Sequence, residues 1–344
     1  MSQSSLTARI TVPCAFPPDR RLSVAPVLLL FVDGVGVGID DTMVNPFVNA
    51  GLGTLHTLAG ARRLTADSVP CHTARASVVG MDAVMGIDGV PQSGTGQTAL
   101  LTGANAAELH GRHFGPWVPA RLRTLVRDES VLARAANAGY RVAFANAYPE
   151  EVTQLAGEPA AALPSDAPAR GARTRRTPSF LRAGPPLAAI GSGLLTRHTR
   201  ELERGDAVAS EITNEGWRDR LGRKGVPVIS AEHAGRNLAL LAARYDLTMF
   251  AHYATDYAGH QQDMDAAIAA LEKFDAFLAG LLDGAADALV IFIVSDHGNI
   301  EDVRTGHTRN PALGIVTGTG HARLADRLRS LTDVTPAILH ALTL

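Results

Sequence analysis

Residues 289–307, LVIFIVSDHGNIEDVRTGH, set a carboxylate and two imidazoles directly behind an apolar run. Asp296 and His297 follow Ser295 at once, and His307 comes on a later loop. Two other apolar runs end the same way. Val27–Val32 (VLLLFV) leads into Asp33, and 247–253 (LTMFAHY) leads into Asp256 and His260. Short β-branched runs of this kind read as buried parallel strands, whose carboxyl ends share one edge of a sheet. Asp33, Asp256, His260, Asp296 and His297 can therefore converge, with His307 joining from its loop. Three carboxylates and three imidazoles form a mixed oxygen and nitrogen set suited to Zn²⁺ or Mn²⁺. They suffice for two ions, roughly 3.5–4 Å apart in typical two-metal sites.

A second stretch offers a hydroxyl. In 91–103, PQSGTGQTALLTG, small polar residues run into a short apolar helix closed by Gly103. Ser93 or Thr95 there would stand at a helix N-terminus, where free N–H groups and the dipole favour an anion. That is a place to make and hold a phosphoryl group, although either residue could serve only as an N-cap. Arg112 and His113, in GRHFGPW, follow shortly after. They are candidates for contacting phosphate or substrate, and equally for a surface pair.

The elements that must hold these groups alternate between strand and helix. Residues 141–146 (RVAFAN) read as a strand after the helical 129–139, and 231–245 and 263–283 read as helices. Residues 313–316 suggest a short edge strand, and 333–342 a closing helix. The turn at 33–38 has the spacing G-x-G-x-G, not G-x-G-x-x-G, and no helix pattern follows it, so a dinucleotide site is disfavoured. Its glycines instead let backbone pass close to Asp33. The expected fold is α/β, a three-layer α/β/α core around a mostly parallel sheet. Residues 1–26 read as a tail, 27–150 and 231–344 as a discontinuous metal-binding core. Residues 151–230, rich in Ala, Pro and Arg, read as a small inserted cap or lid.

Composition narrows the function classes. The 344 residues are 46% hydrophobic and carry a formal net charge of −2, so no basic field suggests nucleic acid or a membrane surface. Cys14 and Cys71 are the only cysteines, which fits a reducing compartment. No apolar run is long enough to span a bilayer, and the first 25 residues lack the core of a signal peptide. The expectation is a cytoplasmic protein acting on a small phosphorylated substrate, without nucleic acid or membrane partners.

Asp33, the S-x-x-G-Q-T-A-L-L-T-G stretch at 93–103 as a whole, D-x-x-x-H at 256–260, D-H-G-N at 296–299 and the later His307 together resemble the alkaline phosphatase superfamily in order and spacing. The nearest flavour is its branch of cofactor-independent phosphoglycerate mutase and phosphopentomutase. The resemblance spans 27–110 and 231–343 and leaves out 151–230. It implies an alkaline-phosphatase-like core and two divalent ions, Mn²⁺ or Zn²⁺. One would be held by Asp256, His260 and His307, the other by Asp33, Asp296, His297 and the nucleophile. Its register picks Ser93 over Thr95 as that nucleophile. The mutases carry His at the position of Gln97, a departure of this sequence from their pattern.

The implied chemistry is phosphoryl transfer through a phosphoserine. The mutases use a substantial cap to shelter the phosphorylated enzyme, and the insertion here is small beside it. Less shelter favours water as acceptor. A phosphomonoesterase is therefore expected, with a phosphomutase second. A phosphodiesterase or phosphonate hydrolase shares the metal set. A sulfatase is disfavoured because 93–97 is SGTGQ and lacks the C/S-x-P-x-R stretch. A metal-stabilised binding module without turnover is the alternative outside enzymes.

Overall fold

The computed structural model describes residues 25–156 and 179–344. The expected tail lies almost wholly outside the described residues, as does the Arg-rich stretch up to residue 178. The described chain builds one seven-stranded sheet from β1 (Val27–Val32), β2 (Cys71–His72), β3 (Ala76–Met81), β4 (Val142–Phe144), β5 (Leu247–His252), β6 (Val290–Val294) and β7 (Ala312–Thr317). Their order is β2-β3-β7-β6-β1-β5-β4. The pairs β4–β5, β5–β1 and β1–β6 are parallel. β7 runs antiparallel between β6 and β3, and β2 antiparallel to β3. The sheet is thus mostly parallel in strand direction, with β2 and β7 reversed.

β7 corrects one expectation. It is interior, not an edge strand, because β3 pairs along its far side. Gly314 lets the β3 side chains lie close: a Cβ at that position would come within 3.0 Å of Val79 and 3.4 Å of Met81. β3 itself lies in 40–90, a stretch that reads as mixed turns and gives no clear period.

Side chains alternate along β1 and make two cores. Val27, Leu29 and Phe31 join the core under the helices Ser93–Thr102, Gly184–Gly191 and Val334–Ala341. Leu28, Leu30 and Val32 join the core under Ala231–Ala242 and Met264–Gly284. This is the three-layer α/β/α arrangement, and it follows from strands buried on both faces. The helical run expected at 129–139 divides at Ser130, which caps a second helix at Val131–Asn137 by accepting from Ala133 N–H.

The described part of 151–230 enters both cores. Leu181, Leu187, Ala188 and Ala189 pack in the first, and Val208 and Ile212 in the second. Val208 also bridges in parallel to Asn146, just past β4. Asn146 is itself tied to β5, donating to Ala251 O at 2.7 Å and accepting from Ala251 N–H at 2.8 Å.

Candidate metal centre

The parallel register sets the ligand-type residues side by side. Val32 pairs with His252 and Phe31 with Val294, so Asp33, Asp256 and Asp296 all emerge at one sheet edge. Past β5 the chain turns at once into the helix Ala254–Gln261, whose i, i+4 spacing brings Asp256 and His260 to the same side. Gly34 makes the tight passage possible. It adopts φ +67°, and a Cβ there would lie 2.4 Å from Asp256 Oδ1.

Two trios of donors result. In Asp33, Asp296 and His297, and again in Asp256, His260 and His307, the donor atoms lie within 4.8 Å of one another. In the first trio, His297 Nε2 is 3.4 Å from Asp33 Oδ1 and 3.6 Å from Asp296 Oδ2. In the second, Asp256 is 3.3 Å from His260 Nε2 and 3.5 Å from His307 Nε2. The trios adjoin, since His297 Nε2 is also 4.0 Å from Asp256 Oδ1 and the rings of His297 and His307 stack at 4.0 Å. The first trio is fully buried. The second opens to solvent through His260, whose side chain is 52% exposed.

Backbone carbonyls orient the rings. His297 Nδ1 is 3.2 Å from Gly298 O, and His307 Nδ1 is 3.0 Å from Pro91 O. A carbonyl accepts only from N–H, so each Nε2 is left with its lone pair toward the cluster, as metal-ligating histidines require. His307 Nε2 then meets His260 Nε2 at 3.1 Å. Two such nitrogens facing each other need a cation or a proton between them.

The electrostatics also call for cations. Among the described residues, Asp33 Oδ1 and Asp296 Oδ2 are buried and have no hydrogen-bond partner, only His297 Nε2 at 3.4 and 3.6 Å. Burial pushes the carboxyl of Asp33 well up, and Asp296 and Asp256 push it further. Asp296 is raised in the same way by burial. Burial would lower His297, but Asp296 and its other acidic neighbours outweigh that and push it up to about 10, so without an ion a proton takes the Nε2 lone pair that a cation would otherwise take. Burial would raise Asp256, but His260 and His307 hold it well below the usual carboxylate range. Buried acids that are raised and unpartnered fit divalent ions, and the donor set suits Zn²⁺ or Mn²⁺.

Ser93 stands at this centre. It is the first residue of its helix, after Gln92 at the cap position, and its Oγ lies 3.0 Å from His297 Nε2. The helix start can come so close because Gly96 has no Cβ, which would stand 2.7 Å from Asp296 O. Thr95 faces elsewhere. Its hydroxyl accepts from Phe114 N–H at 3.1 Å and lies 3.3 Å from Gln92 O. Gln97 donates to Asp33 Oδ2 at 3.3 Å and accepts from Gly184 N–H at 2.8 Å, so it ties the 184–191 helix to the centre. Arg112 and His113 line a cleft with Gln92, the residue before Ser93, but neither Ser93 nor a member of either trio lines it, and His113 Nε2 is 3.1 Å from Ile87 O.

Some contributors carry no signal of their own in the sequence. Glu301 is buried and accepts from Gly36 N–H and Asn299 N–H, both at 2.8 Å, and from Thr308 and Asn310. It pins the loop that bears His297 and His307. Asn299 donates to Asp256 Oδ1 at 2.6 Å. The motif D-H-G-N contains Asn299, but only the fold shows what it touches.

The sequence profile of the metalloenzyme superfamily matches residues 229–344. Those residues form a metalloenzyme-superfamily domain. The domain holds Asp256, His260, Asp296, His297 and His307, while Asp33 and Ser93 reach its centre from the N-terminal part of the chain. The 2,3-bisphosphoglycerate-independent phosphoglycerate mutase of Chloroflexus aggregans is 33% identical over 119 residues, which is 31% of this chain and 22% of that protein. That of Desulforudis audaxviator is 31% identical over 126 residues, 34% of this chain and 25% of that protein. The alignments thus span about a quarter or less of these curated relatives. A solved protein of Pyrococcus horikoshii shares the fold with a TM-score of 0.51, 12% identity and coverage of 93% of this chain and 97% of its own. Among the described residues, no helix of the metalloenzyme domain or the rest is long and apolar enough to cross a membrane.

Proposed function

We propose that the chain is a metal-dependent phosphoryl-transfer enzyme in which Ser93 carries the phosphoryl group, and that it hydrolyses a small phosphomonoester. One observation carries this reading: a hydroxyl on the first turn of a helix, 3.0 Å from His297 Nε2, inside a buried acidic cluster. Two divalent ions, Mn²⁺ or Zn²⁺, held by the two trios would favour the Ser93 alkoxide and hold the attacking and leaving oxygens. Ser93 attacks phosphorus in line, and the bond to the leaving oxygen breaks. The start of the Ser93–Thr102 helix suits the resulting phosphoserine, since its N–H groups and dipole favour an anion. Arg112 and His113, which line a cleft with Gln92, would meet the rest of the substrate if it extends there. The exposed side chain of His260 opens the second trio to solvent, which supports water as the acceptor. The cysteine content fits a cytoplasmic setting.

A phosphomutase is the second reading, favoured by the similarity to phosphoglycerate mutases over a third of the chain. The deciding experiment is phosphate release from a panel of monoesters and diesters, with Mn²⁺ or Zn²⁺ restored after chelation. Release from monoesters is the expected result. Phosphate trapped on Ser93 without release would favour the mutase. Bound metal with neither outcome would leave a binding protein.

A further inference from the structure

Among the described residues, the carboxyl ends of the strands hold a further buried polar atom without a hydrogen-bond partner. Beside Asp33 Oδ1 and Asp296 Oδ2, the hydroxyl of Tyr253 has no acceptor within hydrogen-bond distance among the described residues, the phenol of Tyr148 being its polar neighbour. The two carboxylate oxygens are suited to a cation. A phenol O–H is different, because it is a donor that needs an acceptor.

Register places this hydroxyl. Phe31 pairs with Ala251 and Val32 with His252, and Asp33 N–H donates to His252 O at 2.9 Å. One step further along both strands, Tyr253 comes beside Asp33 and, by the period of two, on the same face. That face belongs to Phe31, whose ring meets the edge of Tyr253 with centroids 6.0 Å apart, and to the helix that begins at Ser93. His252, one residue earlier, turns to the opposite face and stacks on Phe274 at 5.6 Å. Tyr253 also feels the charges of Asp33 and Asp296 and the neighbouring phenol of Tyr148, which is itself held between the rings of Phe144 and Phe180.

The tyrosine is therefore rigid, close to the acidic pair and on the nucleophile's side. Burial, with Tyr148 and Asp33 adding to it, raises its pKa well above the ordinary value, so it stays protonated at neutral pH. For packing alone, phenylalanine would fill the same space without burying an unsatisfied hydroxyl. An acceptor that arrives with the substrate gives the hydroxyl its use.

We propose that Tyr253 donates a hydrogen bond to a phosphoryl oxygen of the substrate at Ser93. This rests on the phosphoryl-transfer reading. The phenol keeps its proton throughout; it is a fixed donor aimed at the oxygens that carry charge during transfer.

The test compares wild type with Tyr253→Phe after loading with Mn²⁺ or Zn²⁺. Metal content, affinity for inorganic phosphate by calorimetry, kcat and KM are measured, along with the melting temperature of the metal-free protein. The expected variant keeps its metal and a metal-free Tm equal to or above that of wild type. Its phosphate affinity falls by about 10- to 100-fold, and kcat/KM by at least as much. A lowered metal-free Tm would mean that the hydroxyl serves the fold, and would overturn the proposal. Equal phosphate affinity and equal turnover would overturn it too, while leaving phosphoryl transfer standing. A metal-loaded wild type that neither binds phosphate nor turns over a phosphate ester would overturn both.

Discussion

Ser93 Oγ and His297 Nε2 lie 3.0 Å apart although 204 positions separate them in the chain. The contact joins the start of one helix to the end of the central strand β6, and it singles out one hydroxyl. Ser93→Ala should abolish turnover, by about 10³-fold or more, while both metal sites still load. Kinetics beside metal analysis checks this. A variant that keeps its activity would move the nucleophile away from Ser93.

Metal removal should separate the two trios. Asp33, Asp296 and His297 are enclosed, whereas His260 is half-exposed at the mouth of the other trio. Stepwise chelation should strip one ion first, and His260→Ala should lower the stoichiometry from two ions to one. Asp296→Asn should empty the buried site instead. Because ions that bind only the folded chain stabilise it, saturating metal should raise the melting temperature. Unchanged stoichiometry in Asp296→Asn would remove that residue from the centre.

The strand ends were legible because ligand-type residues and strand periodicity coincide there. The runs ending at Asp33, Asp256 and Asp296 are short, apolar and followed by donors, and β1, β5 and β6 do pair in parallel. β3 and the interior place of β7 were not legible. Their pairing depends on a non-local fit, with Gly314 under Val79 and Met81, that no local period announces. The same holds for Tyr253 and Glu301. Each is an ordinary residue in its own segment, and only the closing of the sheet gives the first its acidic neighbours and the second its donors.

Glu301 should behave as a structural clamp. Its carboxylate gathers backbone N–H groups from Gly36 and Asn299 and side-chain donors from Thr308 and Asn310. Charge-assisted bonds in a buried position are costly to lose. Glu301→Ala should destabilise the chain by about 3 kcal/mol and loosen the His307 loop, which denaturant unfolding and metal affinity would show. Stability within about 0.5 kcal/mol of wild type would mean that the clamp does not hold the loop.

His252 predicts an acid limit to stability. It is buried on Phe274, and its Nδ1–H donates to Ser210 O at 2.7 Å. Burial lowers its pKa to about 4, against 6.5 ordinarily. Between those values the unfolded chain binds a proton that the folded chain refuses. The contribution is therefore complete above pH 6.5 and is lost as pH falls through that window toward 4. A difference of this size corresponds to about 3 kcal/mol over the window. Replacing the ring by one that cannot protonate isolates the effect, so His252→Phe should flatten the fall in stability between these pH values relative to wild type. Chemical denaturation at pH 7, 5.5 and 4.5 would measure it, and parallel pH profiles for the two proteins would exclude His252 as the source.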